Sequence, residues 1–176
     1  MSWERDVEAL FEDLEQQAVG LDLSERDGEV ADRSVAEYAR VELLARVHAS
    51  IGRQVRLTLL GAGPVSGVVG AAGRDWFLLV DGPAGAGDVL VRVAALRDAQ
   101  GLSSRAVVED ARPVTARLGF GSALRRLTEE EPEVLVEHVD GARTRIVVTR
   151  VGADFLEAGE SVLPMAGVAA VRRVTS

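Results

Sequence analysis

Two histidines, twenty arginines and twenty-eight carboxylates are the groups through which this 176-residue chain could do chemistry. There is no cysteine, so disulfides, thiolate metal sites, iron–sulfur clusters and cysteine nucleophiles are excluded. His48 and His138 stand far apart in sequence and form no His-x-x-x-His pair, so a metal site would have to be mostly carboxylate. A Ser–His–Asp triad would need one of them as its base. His48 falls at a predicted helix end, and His138 alternates with Val134 and Val136 on a predicted strand, where a packed or half-exposed side chain is expected. No Gly-x-Ser-x-Gly elbow occurs. Gly119-Phe120-Gly121-Ser122 and the run Gly82-Pro83-Ala84-Gly85-Ala86-Gly87 have the composition of phosphate loops without their context. The first comes after a polar linker instead of a strand, and the second lies between strands and holds no Lys. The expectation is a chain that is not an enzyme and uses no cofactor and no metal.

The arginines are the remaining candidates. Every basic residue is Arg, and with the excess of Ala, Gly and Val this points to a GC-rich bacterial genome more than to selection for arginine. Arg143 and Arg145 lie two apart on one face of a predicted strand, Arg150 lies at the far end of that hairpin, and Arg172 and Arg173 stand near the C-terminus. As phosphate contacts they would bind RNA with a salt-dependent affinity; otherwise they are a solvated face or ion-pair partners. The net charge of −8 is unevenly placed. Residues 1–52 hold thirteen acids against five arginines, and residues 53–176 hold fifteen of each. A nucleic-acid binder ordinarily carries a basic surplus on its binding domain, and here there is none.

The elements that position these residues change character near Gly52. Trp3, Val7, Leu10, Phe11 and Leu14 form one apolar stripe and predict a helix over 3–18. Val30, Val35, Tyr38, Val41, Leu44, Val47 and Ile51 predict a second over 25–51. Together they predict an acidic helical hairpin, an arm that projects or pairs with another chain. After Gly52 the period becomes two: Val55, Leu57 and Leu59 share one face, and further short strands come at 65–69, 76–80, 89–93 and within 94–102. Residues 103–112 read as a polar linker. Pro113 suits a first helical turn, and Val114, Leu118, Ala123, Leu124 and Leu127 predict a helix to about Glu130, which Pro132 ends.

The segment after Pro132 repeats the segment after Gly52. A shift of 79 positions carries Val55 and Leu57 onto Val134 and Val136, and Gly73-Arg74-Asp75-Trp76 onto Gly152-Ala153-Asp154-Phe155. Beyond the glycine-rich loop the shift is 72, and Leu90-Val91-Arg92-Val93 meets Val162-Leu163-Pro164-Met165. The difference falls in a polar loop, where insertions are tolerated. Gly73 and Asp75, like Gly152 and Asp154, are expected to be turn residues: Gly for positive φ, Asp for a bond to its own backbone, with the aromatic that follows entering the core.

Val134-Leu135-Val136-Glu137-His138-Val139-Asp140-Gly141, Ile146–Val151 and Val162-Leu163-Pro164-Met165 through Val171 resemble the strands and turns of the Sm-like family, which includes bacterial Hfq. The resemblance covers some 50–60 residues per copy. It implies an α+β fold: an N-terminal helical hairpin followed by two small five-stranded Sm-like (SH3-like) β-barrels, the second with its own leading helix. The domains would be 1–51, 52–112 and 113–176. It also implies assembly in which strand four of one unit pairs with strand five of the next. Sm proteins read uridine with an Asn before the third strand, and neither Asp75-Trp76-Phe77 nor Asp154-Phe155-Leu156 supplies one. The functional expectation is therefore a non-catalytic binding or assembly protein, joining protein partners or copies of itself. RNA-binding regulation of the Sm/Hfq type is the alternative. The acidic N-terminus and the lack of a long apolar run point to the cytoplasm.

Overall fold

The alternation of Val55, Leu57 and Leu59 is carried on a strand, Gln54–Leu59, with all three side chains buried. The computed structural model describes residues 38–80, 82, 87–129 and 132–174, and its contacts divide the chain into two compact units, Met1–Val41 and Glu42–Ser176. Of the first unit only residues 38–41 are described, a turn closed by the Val41 N–H on the Tyr38 carbonyl at 3.0 Å. The second contains, in order, α1 (Leu43–His48), β1 (Gln54–Leu59), β2 (Gly63–Ala72), β3 (Trp76–Val80), β4 (Val89–Arg92), β5 (Leu96–Gln100), α2 (Phe120–Thr128), β6 (Glu133–His138), β7 (Arg143–Val147), β8 (Arg150–Val151), β9 (Phe155–Ala158), β10 (Ser161–Pro164) and β11 (Val168–Arg173). Single 3-10 turns, Val93–Ala95 and Met165–Gly167, join β4 to β5 and β10 to β11. No helix among the described residues is long and apolar enough to cross a membrane.

The two halves pair in the same register. Leu57 lies opposite Val65 as Val136 lies opposite Thr144, and Phe77 opposite Val91 as Leu156 lies opposite Leu163. Even the irregularity recurs: the ladder shifts between Thr58 and Leu59 on β1, and between Val168 and Ala170 on the strand opposite β6. Backbone bonds in the turns match too. The Gly73 N–H donates to the Trp76 carbonyl and the Gly152 N–H to the Phe155 carbonyl, both at 2.8 Å. The Val93 N–H donates to the Asp75 carbonyl at 3.0 Å and the Met165 N–H to the Asp154 carbonyl at 2.8 Å.

The two five-stranded barrels expected from the sequence do not form. β11 pairs with β4 as well as with β6, which fuses both halves into one open antiparallel sheet of eight strands in the order β5-β1-β2-β3-β4-β11-β6-β7. β8, β9 and β10 form a separate three-stranded sheet. The reason lies in the side chains of β4 and β11. Val89 and Val91 of β4 point into one apolar core with Val55, Leu57 and Phe77, whereas Leu90 between them points into the second core with Leu124, Val136 and Val171. β11 divides likewise: Ala169 and Ala170 enter the first core, Val168 and Val171 the second. Two strands apolar on both faces satisfy each other's backbone groups where a lone edge would leave them bare. The split in the second half arises at Val148 and Thr149, which leave the ladder: the Val148 N–H donates to the Pro132 carbonyl at 2.8 Å and the Thr149 N–H to the Glu157 carbonyl at 2.8 Å.

The helices are also shorter than the periodicity predicts. The helical hairpin expected over 3–51 lies mostly outside the described residues, and no such hairpin exists among those described. Leu43–His48 is helical there, and Glu42 before it is extended (φ −78°, ψ 147°), which interrupts the long second helix. In the second half the helix begins at Phe120, not Pro113. Val114–Arg117 forms a 3-10 turn, and Gly119 is extended (φ −80°, ψ 169°). The cap that sets this start is supplied from another element: the Asp75 carboxylate accepts the Phe120 N–H at 2.8 Å.

Candidate functional sites at the seam and its edges

The turn residues of the two repeats have different duties. In the first, the Gly73–Trp76 turn holds the segment leading into α2: the Arg74 N–H (3.0 Å) and Trp76 Nε1 (2.8 Å) both donate to the Leu118 carbonyl. A Cβ on Gly73 would lie 2.1 Å from Trp76 Nε1, and one on Gly152 would lie 2.5 Å from the Phe155 ring, so both glycines let an aromatic fold over the turn. Asp75 caps α2, but its counterpart Asp154 is exposed. Neither glycine has the positive φ expected of it, and the Asp75 carboxylate bonds the Phe120 N–H instead of its own turn. Nothing near Asp75 in the chain signals a partner at Phe120.

The arginines expected to form a binding surface do not gather into one; two of them meet on a single carboxylate, Glu137. Arg143 reaches Glu137 Oε1 at 3.3 Å, Arg145 reaches Glu133 at 3.6 Å, Arg150 reaches Glu157 at 2.7 Å and Arg172 reaches Glu137 Oε2 at 3.1 Å. Arg173 instead lines an apolar groove of about 570 Å³ with Leu78, Leu90, Leu118 and Leu127, its Nε buried without a partner. Four of the five are thus engaged with carboxylates.

A different set gathers where the repeats meet. A cleft of about 410 Å³ is bounded by Arg74, Asp75 and Arg92 of the first repeat, by Gly119–Ser122 and Arg125 of α2, and by Asp154 and Met165 of the second. Arg92 straddles the seam: its Nη1 donates to the carbonyls of Met165 and, at 3.4 Å, Val168, and its guanidinium lies 5.7 Å from the Phe120 ring centroid. The periodic pattern gave no hint of this grouping, which needs the β4–β11 pairing to exist. Among the described residues no group of His, Asp or Glu is arranged to hold a metal ion.

The open edges form the second candidate surface. Among the described residues β5 pairs on one side only, with β1, and β10 on one side only, with β9. By the internal equivalence β10 stands where β4 stands and β5 where β11 stands. The burial differs sharply: Leu90 on β4 is 2% exposed, and its counterpart Val162 on β10 is 61% exposed.

His48 has no chemical partner that would make it a base. Its Nε2 donates to the Gly73 carbonyl at 3.2 Å, and Nδ1 is buried with no partner. Burial depresses its pKa below the usual 6.5; the Gly73 bond opposes this and nearby Arg112 adds to it. Protonation would place a bare N–H at Nδ1 in the interior. Between the ordinary imidazole value and the lower folded one, the unfolded chain binds a proton that the folded chain does not. Stability is therefore expected to be full above about pH 6.5 and to decline as pH falls through that window, levelling below the folded value. Urea midpoints at several pH values between about 7.5 and 5.5 check this, and His48→Gln should flatten the slope; an equal slope in the variant would exclude His48 as its source. Comparison of the chain with models of known protein families, with curated proteins and with solved structures finds no match.

Proposed function

We propose that this chain is a non-catalytic assembly protein whose copies join head to tail, β10 of one chain adding to β5 of the next. The observation that carries the reading is the internal seam. The chain already joins the fourth strand of one repeat to the last strand of the other, with Leu90 opposite Val171 and Val91 opposite Ala170. The same operation applied once more places Val162 opposite Ala99 and Leu163 opposite Asp98 of a second copy. Such a junction is heterologous, so it propagates until it closes on itself. The resemblance to Sm-like proteins, whose units join by this kind of strand addition, supports it. The RNA-binding alternative has less support, since four of the arginines it would use face carboxylates.

The junction between chains is expected to be weaker than the seam within one. Arg150 and Glu157 stand where Ala71 and Leu78 stand in the first repeat, so the second copy would bury an ion pair where the seam buries apolar surface. Association should then be reversible, with a sedimentation-velocity mass that rises between about 1 and 100 µM chain. Val162→Arg puts a charge on the edge without touching the core and should hold the chain monomeric with an unchanged circular-dichroism spectrum. A mass independent of concentration in the unaltered chain, or one that rises equally in Val162→Arg, contradicts the proposal.

A further inference from the structure

The cleft at the seam has a chemistry that the assembly reading does not use. Arg74 and Arg125 both lie against the start of α2 and line the same cleft. The Arg74 guanidinium lies against Gly119, 3.1 Å from where a Cβ would be, and Arg125 folds back to place Nε 3.2 Å from the Gly121 carbonyl and Nη2 3.4 Å from Ser122 Oγ. Arg92 adds a third positive charge to the wall, fixed by the Met165 and Val168 carbonyls, with its Nε buried and unpartnered. None of the three lies within ion-pair distance of a described carboxylate, although Arg126, one residue from Arg125, pairs with Glu129 at 2.7 Å.

The duplicated fold provides its own control. The position of Arg74 in the Gly-x-Asp turn is Ala153 in the second repeat, and the position of Arg92 at the end of the fourth strand is Pro164. Backbone pairing is the same in both, so neither turn nor strand requires a guanidinium. Arg74 therefore belongs to the cleft and not to the turn, whereas Arg92 serves the cleft wall and the seam together. The first N–H of α2 is already taken by Asp75, so the attraction rests on the side chains.

We propose that this cleft binds a small phosphomonoester, its phosphate held between the Arg74 and Arg125 guanidiniums, with the Ser122 hydroxyl as a further donor. Planar guanidiniums donate paired hydrogen bonds to phosphate oxygens, and a volume of about 410 Å³ accommodates a metabolite-sized molecule. Asp75 and Asp154 share the wall with the three arginines, so the net attraction suits one phosphate group and opposes a dense polyanion.

The test uses the full chain at low ionic strength. Glycerol 3-phosphate and inorganic phosphate are titrated while the backbone amides of residues 119–122 are followed by NMR, with an oligoribonucleotide of mixed sequence as a parallel arm. Saturable shifts confined to the cleft are expected, with glycerol 3-phosphate bound at least as well as inorganic phosphate. Arg74→Ala and Arg125→Ala should each weaken binding about tenfold, and both side chains are exposed, so the fold should survive. Arg126→Ala, next to Arg125 but outside the cleft and paired with Glu129, should leave it unchanged. No saturable shift, an equal loss in Arg126→Ala, or binding of the oligoribonucleotide alone would each overturn the proposal, and none of these depends on whether chains associate.

Discussion

Replacing Glu137 by Ala is expected to cost about 3–5 kcal/mol of folding stability, the largest electrostatic effect among the described residues. Glu137 is 2% exposed on β6, a charge that water cannot reach. Its two oxygens are divided between strands on either side: Oε2 accepts from Arg172 Nε of β11 at 3.1 Å, and Oε1 lies 3.3 Å from Arg143 Nη2 of β7. The partners are unequal. Arg143 is 61% exposed and can return to solvent, whereas Arg172 is 18% exposed and cannot easily do so. Deleting the carboxylate therefore leaves a half-buried cation without its counter-charge, and that penalty dominates the net value of the pair. Glu137→Gln keeps the shape and an acceptor for Arg172 and should cost less, and Arg143→Ala should cost about 1 kcal/mol or less, as an exposed partner does. Urea unfolding of the three variants orders them. A loss below about 1 kcal/mol for Glu137→Ala would mean that the carboxylate does not hold β7, β6 and β11 together as its geometry implies.

This residue also marks what could be read from the chain alone. The strand alternation beginning at Val134 and the match of Val55 to Val134 were legible, because a half-buried strand repeats every second residue and a duplicated strand repeats its pattern. Register was legible in the same way: the offsets of 79 and 72 align residues that occupy equivalent rungs in the two ladders. Closure was not. Whether the last strand of a repeat ends a barrel or bridges to β4 depends on which partner covers Leu90, and alternation names the face of a side chain without naming what lies opposite. Helix starts failed for a related reason. The apolar positions from Val114 onward fit a helical period, yet Val114 is 81% exposed, and the helix waits for the cap that Asp75 brings from a distant turn. The arginine cleft was invisible on the same grounds: Arg74, Arg92 and Arg125 come from three segments, and Arg143 and Arg145 drew notice because they were neighbours in sequence.

The second contact between the repeats carries the last large effect. Gly61→Ala is expected to lose about 3 kcal/mol or more, and Gly63→Ala about 1 kcal/mol. Gly61, in the turn between β1 and β2, and Gly63, the first residue of β2, both have positive φ, +70° and +77°, so an L side chain pays a similar backbone cost at each. Their surroundings differ. A Cβ on Gly63 meets nothing within 4 Å, whereas one on Gly61 would lie 2.2 Å from the His138 carbonyl oxygen, 2.5 Å from the Gly141 nitrogen and 2.6 Å from the Val139 carbonyl carbon. Those atoms belong to the turn between β6 and β7, and they are backbone, which cannot rotate away. The turn is also tied down: the Val139 N–H donates to the Gly167 carbonyl at 3.0 Å, the Gly141 N–H to the His138 carbonyl at 3.1 Å, and the Ala142 N–H to Asp140 Oδ1 at 3.0 Å. A methyl group at Gly61 must therefore push two hydrogen-bonded turns apart. Comparing the two alanine variants cancels the shared φ penalty and isolates the contact. Equal losses in chemical denaturation would show that the turns are free to separate.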